Sequence, residues 1–128
     1  MKLLIIDDSE LLIKSITKLT EPLFGKDNVY YACSVGSACN QLLDNSIDVV
    51  VIDIQLPDGS GFDILEFIKN NNIHIRLKIV LTNFPNNKFR IKSRDLGADY
   101  FLDKSSEFNK IIEVCKHLKF TAGQNISN

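Results

Sequence analysis

The chain has no excess of charge of either sign: fifteen Lys and Arg stand against sixteen Asp and Glu, a formal net charge of −1. No broad positive field therefore recruits nucleic acid or an anionic membrane, and any partner must be met at a local surface. Long hydrophobic runs are missing as well. No stretch approaches the ~20 apolar residues that would span a bilayer, and Met1-Lys2 passes straight into Leu3-Leu4-Ile5-Ile6 without a small-residue cleavage site. This predicts a cytoplasmic protein with no membrane insertion. Cys33, Cys39 and Cys115 are odd in number, lack metal-site spacing and sit among apolar residues, which excludes a disulfide framework and predicts buried thiols. There is no linker, repeat or low-complexity tract. With 128 residues, 45% of them hydrophobic, the expectation is one free-standing domain with no output domain attached.

What is present is an alternation. Short apolar runs at Lys2–Ile6, Val29–Cys33, Val49–Ile52, Leu77–Leu81 and Tyr100–Leu102 predict five strands. Most are uninterrupted runs, which suits strands covered on both faces and hence a parallel sheet. Between them lie segments of helical period. The first starts after Asp8-Ser9 and is predicted to stop near Pro22; the second carries Ala38 and Leu42, the third Phe62, Leu65 and Ile68. Helices over 86–96 and 106–118 complete the set, and a polar tail over 120–128 is expected to be disordered. Five such units give an α/β fold: a doubly wound, flavodoxin-like parallel sheet in the order 2-1-3-4-5 with five helices, whose functional crevice lies at the carboxyl ends of the strands.

The strand ends carry the chemistry. The first strand ends in Asp7-Asp8, the third in Asp53, the fourth in Thr82, and the fifth runs into Asp103-Lys104. In the predicted order three carboxylates and a hydroxyl converge with a lysine beside them. Each carboxylate pair repels by about 4 kcal/mol at 4 Å for an effective dielectric near 20, so the cluster needs a cation. An all-oxygen site suits Mg²⁺ better than zinc, which prefers histidine or thiolate. Taken singly, the same residues have ordinary explanations. Asp7 and Asp8 could be a helix cap and a first-turn charge, Lys104 a solvated lysine, Thr82 a strand threonine, and Lys88, Arg90, Lys92 and Arg94 a solvated helix face.

Leu4-Ile5-Ile6-Asp7-Asp8-Ser9, the stretch from Val50 through Asp53 and Pro57-Asp58-Gly59 to Gly61, Leu81-Thr82, and Gly97-Ala98-Asp99-Tyr100-Phe101-Leu102-Asp103-Lys104 together resemble the receiver domains of two-component response regulators, of the single-domain chemotaxis-regulator type. The resemblance covers residues 1–119. It implies that Asp53 is the phosphoacceptor and that Asp8 and Asp53 hold Mg²⁺ directly, with Asp7 acting partly through water and the Gln55 backbone carbonyl as a further ligand. It also implies that Thr82 and Lys104 contact phosphoryl oxygens, and that Phe101 is an aromatic whose rotamer follows Thr82, although Phe101 reads equally as plain core. The implied partners are a histidine kinase or histidine phosphotransfer protein and a downstream target docking on the fourth helix, fifth strand and fifth helix. The resemblance further implies that catalysis is confined to the protein's own aspartyl phosphorylation and dephosphorylation.

Two positions depart from the family pattern. Ser105 stands where proline is usual, which predicts a trans Lys104-Ser105 bond and a different loop. Asn83 and Phe84 stand after Thr82, where a small residue is usual, and border access to the site. They keep open a degenerate receiver acting as a phosphorylation-independent interaction module. A haloacid-dehalogenase-type phosphatase would need an acid where Gln55 stands. A flavodoxin-type flavin carrier would need a phosphate loop where Asp7-Asp8 would repel the phosphate.

Overall fold

The computed structural model describes the backbone of residues 1–127 and side chains through residue 118. In chain order the elements are β1 (Leu3–Ile6), α1 (Glu10–Phe24), β2 (Val29–Ala32), α2 (Val35–Asp44), β3 (Val49–Ile52), β4 (Gln55–Leu56), β5 (Gly59–Ser60), α3 (Gly61–Asn70), β6 (Leu77–Thr82), α4 (Asn87–Asp95), β7 (Tyr100–Asp103) and α5 (Lys110–Ser127). Five strands form a parallel sheet in the order β2-β1-β3-β6-β7, while β4 and β5 make a separate two-stranded antiparallel ladder. Taken in sequence, the five sheet strands have the predicted order 2-1-3-4-5.

The uninterrupted apolar runs are explained by two cores, one on each face of the sheet. Side chains alternate along a strand, so Leu4, Ile6, Val50, Ile52 and Val80 point to one face, where α2 and α3 add Ala38, Leu42, Phe62, Leu65 and Ile68. Leu3, Ile5, Val49, Val51 and Ile79 point to the other, packing with Ile13 and Ile16 of α1 and Ile111 and Cys115 of α5. Every residue of β1 and β3 is buried. Each such aliphatic side chain contributes about 1.5–3 kcal/mol relative to exposure, which fixes the sheet order and hence which strand ends are neighbours.

Several local expectations are corrected. Helix α1 runs through Pro22 to Phe24, because a proline in the last turn forfeits one backbone bond while the Gly25 N–H still closes the helix on the Glu21 carbonyl at 2.8 Å. Helix α5 starts at Lys110 rather than near 106, since the intervening residues form a hydrogen-bonded turn. Its backbone stays helical to Ser127, through the segment from 120 expected to be a tail; no proline interrupts that stretch, and Asn128 lies outside the described residues. Of the three thiols, all free, Cys115 is buried and Cys39 intermediate, but Cys33 is exposed because the edge strand β2 ends before it. All peptide bonds described are trans, Lys104-Ser105 included.

Candidate functional site

The sheet ladder carries the reactive residues to one edge. Beyond the strands proper, the Asp7 N–H donates to the Ala32 carbonyl at 3.0 Å, the Asp53 N–H to the Ile6 carbonyl at 2.9 Å, and the Lys104 N–H to the Thr82 carbonyl at 2.9 Å. Each side chain therefore leaves a backbone that is already pinned. A carboxylate oxygen from each of Asp7, Asp8 and Asp53 lies within 4.8 Å of the others; Asp7 and Asp53 are buried and Asp8 is exposed.

Lys104 reaches into this cluster. Its Nζ lies 2.7 Å from Asp7 Oδ2 and 3.1 Å from Asp53 Oδ2. The other oxygens accept from backbone: Asp7 Oδ1 from the Ser9 N–H at 2.9 Å, and Asp53 Oδ1 from the Gln55 N–H at 3.3 Å. Burial pushes the Asp53 carboxyl above its usual range, with Asp7 adding to the push and Lys104 opposing it. For Lys104, burial works against the charge, but the bond to Asp7 and the field of Asp53 outweigh it and hold the ammonium above its ordinary value. The two directions are compatible. Lys104 is served by two carboxylates, whereas Asp53 has a share of one ammonium and a carboxylate neighbour.

The donor set fits a hard divalent ion. Three carboxylates against one ammonium leave a formal charge of −2, all donors are oxygen, and one carboxylate is open to solvent. Residues Asp7, Asp8 and Asp53 would hold such an ion.

The remaining expected residues sit in β4, β6, β7 and the loop after β6. Thr82 is buried, and its Oγ1 accepts the Phe84 N–H at 3.0 Å. Phe101 is buried beneath Arg90, whose guanidinium carbon stands 4.8 Å from the ring centroid. Gln55 is exposed in β4, and Asn83 and Phe84 are exposed beyond β6. A cleft beside the site is lined by Ser9, Leu11, Leu12, Asn83, Lys104 and Ser105. Gly61 is required where it stands: a Cβ there would collide with the Asp53 carbonyl oxygen and come 2.8 Å from Ile52 Cγ2.

Other residues escape a reading by sequence. Asp58 Oδ1 and Oδ2 accept the Val35 and Gly36 N–H groups at 2.7 and 3.0 Å, tying the β4–β5 turn to the start of α2. The Pro57-Asp58-Gly59 signature announces a turn, but no local signal names a partner 22 or 23 residues away. The cationic face of α4 is also more than solvated. Arg90 stacks on Phe101, and the Lys92 ammonium lies 4.5 Å from the centroid of Phe62.

The family model described as "Response regulator receiver domain" matches residues 3–116. Among curated proteins, the chain is 31% identical over 119 residues to the transcriptional regulatory protein CusR of Escherichia coli, an alignment covering 88% of this chain and 48% of that protein. It is 32% identical over 105 residues to the transcriptional regulatory protein CpxR of Escherichia coli, covering 80% of this chain and 42% of CpxR. The chain thus spans about half the length, or less, of these relatives. In fold it is similar to the N-terminal domain of an uncharacterized protein from Wolinella succinogenes, with a TM-score of 0.86 at 23% identity and 98% coverage of both chains. It is also similar to the BeF3-activated DrrB receiver domain, with a TM-score of 0.80 at 24% identity, covering 91% of this chain and 95% of that one. Parallel strands that deliver Asp7, Asp8, Asp53 and Lys104 to one edge, and a match running nearly from end to end, make this chain a member of the response-regulator receiver family.

Proposed function

We propose that the chain is a phosphoacceptor switch that takes a phosphoryl group onto Asp53 from a histidine kinase or histidine phosphotransfer protein, with Mg²⁺ as cofactor. The observation that carries this reading is the meeting of Asp7, Asp8 and Asp53 within 4.8 Å under the Lys104 ammonium. One Asp53 oxygen attacks the phosphorus in line with the departing P–N bond. The new P–O bond forms as the P–N electron pair leaves on the donor imidazole, which takes up a proton. Burial favours the nucleophile by keeping its carboxylate poorly solvated. Lys104 stands where it can move from the carboxylate to the incoming phosphoryl oxygens, and the Thr82 hydroxyl can turn to donate to another. Mg²⁺ held by Asp7, Asp8, Asp53 and the Gln55 carbonyl would neutralise further charge on those oxygens. The cleft at Leu11 and Leu12 offers an apolar place for the donor protein beside the nucleophile.

On this reading the chain acts in the cytoplasm, and among its described residues no helix is long and apolar enough to cross a membrane. Movement of Thr82 toward the phosphoryl group frees space for Phe101, and α4, β7 and α5 carry the change to a downstream target. The alternative, an interaction module independent of phosphorylation, rests on Asn83 and Phe84, and both keep much of their surface in solvent. Incubation with Mg²⁺ and a small acyl phosphodonor, followed by intact mass, separates the two. One added phosphoryl group, lost in Asp53→Asn, is expected. No gain in the native chain would leave the interaction module standing.

A further inference from the structure

We propose that Asp103 is the positioning residue of Lys104, folding the two serines that follow into a turn that fixes where the ammonium lies. Asp103 closes β7, opposite Thr82 in the register with β6. Its Oδ1 accepts the Ser105 N–H at 3.0 Å and the Ser105 hydroxyl at 2.8 Å, and its Oδ2 accepts the Ser106 hydroxyl at 3.0 Å. Its main chain is held as well: the Asp103 N–H donates to Glu107 Oε1 at 3.1 Å, and the Glu107 N–H returns to the Asp103 carbonyl at 2.8 Å. Lys104 sits inside this ring with its own N–H bonded to Thr82, so its backbone has little freedom left.

The arrangement also settles a competition. Asp103 is the carboxylate nearest to Lys104 in sequence, yet among the described residues the ion pairs of Lys104 go to Asp7 and Asp53. Both oxygens of Asp103 are engaged by the serines, which keeps it from drawing the ammonium out of the cluster. The serine hydroxyls thus do two things, building the turn and occupying the rival acceptor. The hydrogen bonds of Ser105 hold the Asp103 carboxyl below its usual range, so the turn is intact at neutral pH. No apolar burial accompanies it, because Ser105 and Ser106 are exposed.

The effect on Lys104 is direct; its consequence for phosphorylation rests on the reading given under Proposed function, and two measurements keep these apart. The first is exchange of the Lys104 ammonium protons with water, followed by low-temperature NMR on the full chain. Exchange at least about tenfold faster is expected in Asp103→Ala and in Ser105→Ala/Ser106→Ala, with Asp103→Asn, which keeps one acceptor oxygen, staying within about threefold of the native chain. The second is the rate of phosphorylation by a small acyl phosphodonor in saturating Mg²⁺. Asp103→Ala should slow it by about tenfold, a modest penalty for a displaced charge. In a Lys104→Ala background the same substitution should have no further effect, which a general loosening of the fold would not reproduce. Unchanged ammonium exchange in Asp103→Ala overturns the proposal, as does equal slowing with and without Lys104. If the native chain takes no phosphoryl group, the reading of Asp53 fails, and the exchange measurement alone still decides the role of Asp103.

Discussion

The Lys104 ammonium stands 3.1 Å from Asp53 Oδ2, joining residues at the ends of two strands that are not neighbours in the sheet. This one cation does not compensate Asp53 for its burial, and the carboxyl is held above its usual range. A carboxylate whose pKa is raised by folding costs stability where the unfolded chain is ionised. That cost is absent below the usual carboxylate range and grows as pH rises through the raised value. Asp53→Asn should therefore be more stable than the native chain near neutral pH, because the amide carries no charge to bury. The difference should vanish in acid. Denaturant unfolding at several pH values checks it, and a variant less stable at neutral pH would contradict it.

Asp8 is the exposed member of the acidic cluster and makes no ion pair with Lys104. Its removal should relieve repulsion without opening the core. Asp8→Ala is expected to fold, to melt no lower than the native chain in chelator, and to lose Mg²⁺ affinity by more than the roughly 10- to 100-fold typical of losing an outer-shell partner. Calorimetric titration with Mg²⁺ decides; native affinity in the variant would remove Asp8 from the ligand set.

Asp58 carries no core contact, yet its two oxygens cap the first turn of α2. The Gly36 and Val35 N–H groups hold its carboxyl below the usual range. A depressed carboxylate contributes stability above its unfolded pKa and loses it as pH falls through the folded value. Asp58→Ala should thus melt lower than the native chain at neutral pH, with faster exchange of the Val35 and Gly36 amides, and the two proteins should converge in acid. Equal protection of those amides in both would show that the cap is dispensable.

Much of this was legible in the residues. Val49–Ile52 and Leu3–Ile6 could only be strands buried on both faces, and once the sheet order followed, Asp7, Asp8, Asp53 and Lys104 had to share an edge. What sequence hides is the partner of a polar side chain. Asp58 finding α2 and Lys92 finding Phe62 are products of tertiary packing, and no period in the chain encodes them. Pro22 was misleading for a related reason. A proline forbids one bond, but whether the helix stops there depends on what the next turn packs against, and Phe24 is buried in the core beneath α1.

Phe84 bears on how long a phosphoryl group would last. Its N–H is bonded to Thr82 Oγ1, so its side chain leaves the backbone at the rim of the site, where it has no polar atom to orient a water. Its bulk should exclude water from the acyl phosphate, and removing it should speed hydrolysis. Phe84→Ala is expected to lose phosphate about tenfold faster, which needs only about 1.4 kcal/mol of barrier. Autodephosphorylation in Mg²⁺ measures this; an unchanged rate would mean that the ring lies outside the approach of the water.

Helix α4 is anchored unlike the other described elements around the sheet. Ser93 is its one buried residue and leaves its hydroxyl without a partner, Phe89 and Leu96 are only partly covered, and Arg90 and Lys92 lie across Phe101 and Phe62. Cations over aromatic faces at exposed sites contribute only about 0.5–1 kcal/mol each, less than a fully buried aliphatic side chain. The grip of α4 on the sheet is therefore lighter than that of the other helices, a clutch rather than a weld.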